Sequence, residues 1–185
     1  MKSYLDAWLV GCTAATVAWG SSTPLYAGGT SIGGGGDACE RRVSEIRDDI
    51  RKWIDESGGR GLELPAGLSV HDYRSAMEAQ LTPPPNANAV VIGCVSTAQE
   101  NAQRTSQAPH LELLVSVDGQ PKTCRGFVSD QDHLHHILCN IDRFSATSPA
   151  EQYRLIHHEF AGLAGVEQNN GAASDYRIST QIAPE

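Results

Sequence analysis

The chain has 185 residues, 40% of them hydrophobic, and a formal net charge of −8 at pH 7. Its length favours one domain with a sizeable buried core. The acidic balance argues against nucleic acid and anionic membranes as partners, because each attracts a basic protein surface.

The first 27 residues have the features of a secretory signal peptide. Lys2 provides a positive start, the apolar run from Ala7 to Trp19 is too short to span a bilayer, and Ala27 offers a cleavage site. The alternative is a lipoprotein site at Cys12, although the apolar run before that cysteine is very short. Both interpretations predict a secreted or periplasmic protein whose mature form has no transmembrane segment.

Cleavage after residue 27 would leave four cysteines, which are Cys39, Cys94, Cys124 and Cys139. An even number of cysteines in an exported chain predicts two disulfides. A zinc site built from cysteines is the weaker alternative, because no two of the four are close in sequence.

Residues 28–36 are rich in glycine, and we interpret them as a flexible leader to a single domain over residues 37–185. At the start of this domain, a capping box that begins at Asp37 and apolar residues at helical spacing predict a helix over residues 38–57. A second capping box, which begins at Ser69, predicts another helix that ends before three consecutive prolines.

The middle of the chain changes to short apolar runs bounded by turn residues, which is typical of strands. Four strands are predicted, over residues 89–95, 111–117, 122–128 and 133–141. Asp118-Gly119 is a hairpin signal between the second and third strands. The polar residues 97–109 are interpreted as a loop.

The hairpin between the last two strands indicates how the cysteines pair. If the chain turns at residues 131–132, Cys124 lies directly opposite Cys139, at a separation close to the one that a disulfide requires. Cys124–Cys139 is therefore the preferred pair. This pairing leaves Cys39 to join Cys94, which would tie the first helix to the sheet.

A long final helix begins at Ser148, with Pro149 in the first turn and Glu151 three residues after the cap. The elements together predict an α+β fold with two N-terminal helices, a small antiparallel sheet of about four strands, and a long C-terminal helix.

Histidines and carboxylates cluster in this final helix. His158-Glu159 begins the signature H-E-x-x-H, in which two histidines one turn apart bind zinc and the glutamate polarises a water molecule. Gly162 stands where the second histidine should be, and His157 falls in the apolar stripe. We therefore identify His158, His157 and Glu167 as candidate metal ligands and Glu159 as the candidate catalytic residue.

Three further side chains are candidates to complete a metal site, namely Asp175, His133 and His135. The two histidines share a face of the predicted fourth strand, because alternate residues of a strand point to the same side.

The competing interpretation of the helix is structural. Here His157, His158 and Glu159 hydrogen-bond to loops or to the C-terminal tail. Gly162 and Gly165 then let another part of the backbone approach the helix closely.

Two resemblances are carried by these residues. The spacing from His158 to Gly165 resembles the active-site helix of zincin metallopeptidases, as does the order of a sheet followed by such a helix, and this implies a zinc-dependent peptidase. Gly162 departs from that pattern.

Five segments resemble a family of small secreted proteins of Bdellovibrio-type predatory bacteria, which implies export and a single domain. They are CERRV (39–43), LPAGLS (64–69), PKTCR (121–125), HHEFAGLAGVE (157–167) and SDYRIS (174–179).

The sequence leaves two functions open, and with them the question of whether this protein is an enzyme. The preferred one is a non-catalytic, disulfide-stapled binding or structural protein of the cell envelope, without a cofactor. The alternative is a divergent zincin-like metal-dependent hydrolase that uses His158 and Glu159 with zinc. Gly162 decides the preference, because it removes a ligand that the zinc signature needs.

Overall fold

The computed structural model describes residues 35–82, 89–107, 109–169 and 174–182, with side chains described from residue 38 onward. The predicted signal peptide over residues 1–27, the alternative lipoprotein site at Cys12 and the leader as far as residue 34 lie outside the described residues. The prolines at 83–85, which are predicted to end the second helix, also lie outside them.

The protein has an α+β fold, as the sequence predicts. The helices within the described residues are α1 (Gly35–Ser57), α2 (Val70–Leu81), α3 (Thr97–Thr105), α4 (Ile141–Ser145) and α5 (Pro149–Leu163). The strands are β1 (Val91–Val95), β2 (Ser116–Val117), β3 (Gln120–Pro121), β4 (Cys124–Val128) and β5 (His135–Asn140). Short 3₁₀ turns cover Leu111–Leu113 and Ser179–Gln181.

Helix caps predicted from the sequence are present at α2 and α5. The side chains of Ser69 and Ser148 each accept a hydrogen bond from the backbone N–H three residues further on, which satisfies a donor that the first helical turn leaves unpaired. The cap predicted at Asp37 is wrong. Helix α1 begins earlier, at Gly35, so Asp37 lies inside the helix.

The main sheet has three strands in the order β1-β5-β4, with β1 parallel to β5 and β4 antiparallel to it. The prediction of about four antiparallel strands is therefore wrong in strand number and in the direction of β1. The long connection between β1 and β5 allows a parallel return, and periodicity alone does not report which strands pair. In the observed register, Cys94 lies beside Cys139, which lies beside Cys124.

The predicted strand over residues 111–117 divides into the 3₁₀ turn and the two-residue strand β2. Asp118 and Gly119 have φ angles of 50° and 75°, which suits the tight hairpin that the sequence predicts between β2 and β3. This hairpin forms a two-stranded ribbon that is separate from the main sheet, and two residues of each strand pair in it.

The predicted loop over residues 97–109 contains a helix instead. Ser96 and Gln99 form a reciprocal capping box that starts α3. The helix is polar on nearly every side, and Glu100 is its buried residue. The sequence of α3 therefore has no apolar stripe at helical spacing, and a prediction based on hydrophobic periodicity misses a helix of this kind.

The core lies on both faces of the main sheet. The larger cluster joins one face to α1, α2 and α5, and the smaller one covers the opposite face with Val95, Val115 and Leu138. Both disulfides, Cys39–Cys94 and Cys124–Cys139, are present with the predicted pairing and belong to the larger cluster. Among the described residues, no helix combines the length and apolar character needed to cross a bilayer.

Candidate functional site

Helix α5 directs three consecutive ionisable residues into the protein interior. His157, His158 and Glu159 have relative exposures of 0%, 1% and 2%. Buried polar groups require hydrogen-bond partners. The partners come from α2, from β4, from residues 164–169 directly after α5, and from the segment 174–182, which lies against α5.

His157 is held between two hydroxyl groups. Its Nε2 lies 2.7 Å from Tyr73 Oη and its Nδ1 lies 2.7 Å from Ser179 Oγ. Ser179 donates its proton to the Glu167 carboxylate, so Nδ1 of His157 donates to Ser179 and Nε2 accepts from Tyr73. Burial lowers the pKa of His157 to about 4, which keeps the ring neutral, as this pattern of hydrogen bonds requires.

Glu167 is the centre of the cluster. Its carboxylate accepts hydrogen bonds from Ile178 N at 2.6 Å, Ser179 N at 2.7 Å, Ser179 Oγ at 2.5 Å and His158 Nδ1 at 2.8 Å. Burial alone would raise the pKa of Glu167, but the hydrogen bonds from His158 and Ser179 hold it below its ordinary value. The ionised carboxylate therefore anchors the segment 174–182 to the end of α5.

His158 has one satisfied nitrogen and one free nitrogen. Its Nδ1 donates to Glu167, and its ring stacks on Tyr176 with the centroids 3.7 Å apart. The Nε2 atom is buried and has no hydrogen-bond partner among the described residues. When the ring is neutral, donation from Nδ1 leaves the unprotonated lone pair on Nε2.

Glu159 points away from this cluster toward the edge strand β4. Its Oε2 accepts hydrogen bonds from Gly126 N at 2.5 Å and from Asn169 Nδ2 at 2.6 Å. Burial raises the pKa of Glu159, while His158, Asn169 and Gly126 act in the opposite direction. The candidate catalytic carboxylate is thus already bound to the backbone of β4 and to an amide.

Gly162, in the position of the missing histidine, is covered by Asn169. A Cβ atom added at Gly162 would lie 2.4 Å from the Asn169 Cβ, a distance that atoms cannot occupy without movement. Gly162 therefore permits a close approach, as predicted, but the group that approaches it is the Asn169 side chain and not another part of the backbone. The same prediction for Gly165 is wrong, because nothing lies within 4 Å of its added Cβ, and its φ of 72° shows that it ends the helix instead.

The additional candidate ligands are not brought together. His133 is exposed in the turn before β5 with a φ of 59°, so it does not share a strand face with His135. His135 Nδ1 lies 2.7 Å from Gln80 Oε1, and Asp175 accepts from Arg177 N. Within the described residues, no group of three or more histidine, cysteine, aspartate or glutamate side chains is arranged to hold a metal ion.

The sequence did not identify the residues that surround the cluster: Tyr73, Tyr176, Ser179, Asn169 and Gly126. Tyr73 could be recognised as an inward-facing residue of α2, but its contact with His157 joins positions that are 84 residues apart. Contacts of this kind depend on tertiary structure.

Comparisons of the chain with protein-family models, with curated proteins and with solved structures found no match. The assignment of function therefore depends on the geometry of the chain itself.

Proposed function

We propose that this chain is a non-catalytic, disulfide-stapled binding or structural protein of the cell envelope. The observation that carries the proposal is how the polar groups of α5 are used. Both ring nitrogens of His157 and both carboxylate oxygens of Glu167 take part in internal hydrogen bonds. Glu159 accepts hydrogen bonds from Gly126 and Asn169. A general base has to reach a substrate or a water molecule, and these groups are instead engaged in holding the fold.

Location in an oxidising compartment is part of the same proposal. Two disulfides support it, because such bonds persist outside the reducing cytosol. The N-terminal segment with its cleavage site at Ala27 also supports it. The mass of the mature protein tests this part, and we expect the mature chain to begin at Gly28.

Metal analysis tests the non-catalytic assignment. The oxidised protein is purified without chelators, and its zinc content is measured beside that of His158→Ala and Glu159→Ala. We expect well below one zinc per chain in all three proteins, and a lower melting temperature in both variants. His71→Ala is the matched control, since His71 lies on the surface with 90% of its side chain exposed. Stoichiometric zinc that is lost in His158→Ala would overturn the proposal.

One observation favours a second function, a divergent metal-dependent hydrolase. The buried Nε2 of His158 has no hydrogen-bond partner among the described residues, and the unprotonated nitrogen of a neutral imidazole is a common zinc ligand. Titration with Zn²⁺ or Co²⁺ tests this alternative. Stoichiometric binding with an absorption spectrum typical of tetrahedral Co²⁺ would support it. A calorimetric titration without a heat of binding, together with an unchanged absorption spectrum, would exclude it.

A further inference from the structure

Three cysteines form a row across the main sheet. The register places Cys94 of β1 beside Cys139 of the central strand β5, and Cys139 beside Cys124 of β4. Directly paired residues of neighbouring strands point to the same face, and all three cysteines belong to the core on the side of α1 and α5. The sulfur of Cys139 therefore has a cysteine on either side of it.

One disulfide joins two cysteines of this row, and the other joins the third cysteine of the row to α1. Cys139 is bonded to Cys124, whereas Cys94 is bonded to Cys39 in α1. Cys39, Cys124 and Cys139 have exposures of 5%, 5% and 0%, whereas Cys94 is partly exposed. Of the two disulfides, Cys39–Cys94 is therefore the one that contains a partly exposed residue.

We propose that the two disulfides form one exchange-coupled redox switch, in which reduction of Cys39–Cys94 allows Cys94 to capture Cys139 and to release Cys124. Attack on a disulfide takes place in line with the bond that breaks. The order Cys94-Cys139-Cys124 across the three strands places the attacking and leaving sulfurs on opposite sides of Cys139. Neighbouring strands lie about 4.8 Å apart, within the Cα separations that disulfides span.

The reductant is an external dithiol. One of its thiolates attacks Cys94 Sγ, the Cys39–Cys94 bond breaks, and Cys39 leaves as a thiolate. The second thiolate of the reagent then attacks the reagent's other sulfur, which is bonded to Cys94 in the mixed disulfide. A cyclic disulfide forms within the reagent, and Cys94 is released as a thiolate. Two electrons have passed from the dithiol to the protein.

The second step is an isomerisation without further electron transfer. The Cys94 thiolate attacks Cys139 Sγ, the Cys94–Cys139 bond forms, and the Cys124–Cys139 bond breaks. Cys124 leaves as a thiolate and takes a proton from solvent. The product has one disulfide, between β1 and β5, and free thiols at Cys39 and Cys124.

The structural effect of the exchange falls on β4. This edge strand loses its covalent bond to β5, and its Gly126 N–H is one of the two groups that donate hydrogen bonds to Glu159. A reducing signal received at Cys94 is thus passed to the strand that covers the polar face of α5.

Two single substitutions test the proposal without any reductant. Cys39→Ser and Cys94→Ser both remove the same native disulfide, but only Cys39→Ser leaves the free thiol inside the row. Each oxidised variant is incubated at dilute concentration near the ordinary cysteine pKa of about 8.5, alkylated after acid quenching, and digested with trypsin. Trypsin places Cys94, Cys124 and Cys139 in separate peptides, so mass spectrometry identifies each pair.

We expect a Cys94–Cys139 linked peptide in Cys39→Ser, with Cys124 alkylated to the same extent. A population within about tenfold of the native pair, equivalent to about 1.4 kcal/mol, is readily detected. Cys94→Ser should keep Cys124–Cys139 throughout, with Cys39 alkylated. The proposal is overturned if Cys39→Ser keeps Cys124–Cys139 in every molecule, or if both variants exchange equally.

Partial reduction of the wild-type protein keeps the test valid if the variants fold poorly. With limiting dithiol, the single-disulfide intermediate should contain Cys94–Cys139. Intermediates that contain native pairs alone would contradict the switch.

Discussion

Glu167 accepts four hydrogen bonds inside the protein, and three of them come from Ile178 and Ser179. We expect Glu167→Gln to lower the free energy of unfolding by about 1–3 kcal/mol, because an amide cannot accept at both of its terminal atoms and a buried donor is left unpaired. Chemical denaturation measures the loss. Hydrogen exchange should also accelerate at the Ile178 and Ser179 amides before it does so in α5.

Glu151→Gln is the control for this prediction. Glu151 lies on the same helix but forms a partly exposed pair with Arg154 at 3.7 Å. We expect a change of no more than about 0.5 kcal/mol. Equal effects of the two substitutions would show that Glu167 does not anchor the C-terminal segment.

Gly162 is expected to resist a substitution that helices usually favour. Alanine in place of glycine stabilises an exposed helix interior by about 1 kcal/mol, but the new Cβ at position 162 would lie 2.4 Å from Asn169 Cβ. Gly162→Ala should therefore lower the melting temperature.

The cause of that loss can be isolated with Asn169→Gly, which removes the opposing Cβ. Gly162→Ala should cost less stability in the Asn169→Gly background than in the wild type, as a double-mutant cycle would measure. Additive effects would show that the close contact with Asn169 is not the reason for glycine at position 162.

His157 makes stability depend on pH. Burial lowers its pKa from an ordinary 6.5 to about 4, so the unfolded chain binds more protons and stability falls as the pH falls between these values. The loss is on the order of 3 kcal/mol by the time the pH reaches the folded pKa. The pKa of Glu167 is lowered, and this removes further stability as the pH falls through its folded pKa.

Denaturation midpoints measured from pH 7 to pH 4 test this dependence. Glu159 acts with the opposite sign, because burial raises its pKa and its protonation in acid favours the folded state. His157→Gln keeps a donor and an acceptor but removes the titrating group, so it should flatten the profile between pH 6.5 and 4. An unchanged slope in this variant would assign the acid sensitivity to other groups.

At the scale of elements, α3 is held to the protein by Glu100. Its carboxylate accepts hydrogen bonds from Val115 N at 2.5 Å, Asn140 Nδ2 at 2.8 Å and Arg143 Nη2 at 2.8 Å. These donors belong to three other parts of the chain, so one side chain ties α3 to the chain before β2, to the end of β5 and to α4.

Glu100→Ala should therefore reduce the free energy of unfolding by about 2–4 kcal/mol, since it leaves buried donors and a partly buried guanidinium without their acceptor. Asn101→Ala, on the exposed side of the same helix, is the control and should have little effect. Thermal and urea denaturation of both variants measure the difference.

The predicted elements differ in how strongly local physics specifies them. Helices α2 and α5 combine a serine cap with inward-facing apolar residues, and both were predicted from the sequence. Helix α3 is specified by its capping box and by one buried glutamate. Its interaction with the protein is polar, and the sequence offers no periodic apolar signal for such an interaction.

At the scale of the molecule, the disulfides close loops of different length. The cysteines are 55 residues apart in Cys39–Cys94 and 15 residues apart in Cys124–Cys139. A chain-entropy argument gives about 4 and about 3 kcal/mol for these loops. Replacing each pair by serine should lower stability by these amounts, with the larger loss for Cys39 and Cys94. Urea denaturation of the two double variants measures it, and the opposite order would exclude a loop-entropy mechanism.

The sequence alone determined the α+β class, both disulfide pairs and the caps of α2 and α5. It also identified as unusual His157, His158 and Glu159, which lie in α5, and Glu167, which follows it, because their spacing along the chain is a local property. Tertiary structure decided what surrounds them. The parallel pairing of β1 with β5, the Tyr73–His157 contact and the position of Asn169 over Gly162 join distant parts of the chain. Such contacts arise when elements dock. Hydrophobic burial drives docking but is non-directional, so the local sequence does not indicate which elements will pack together.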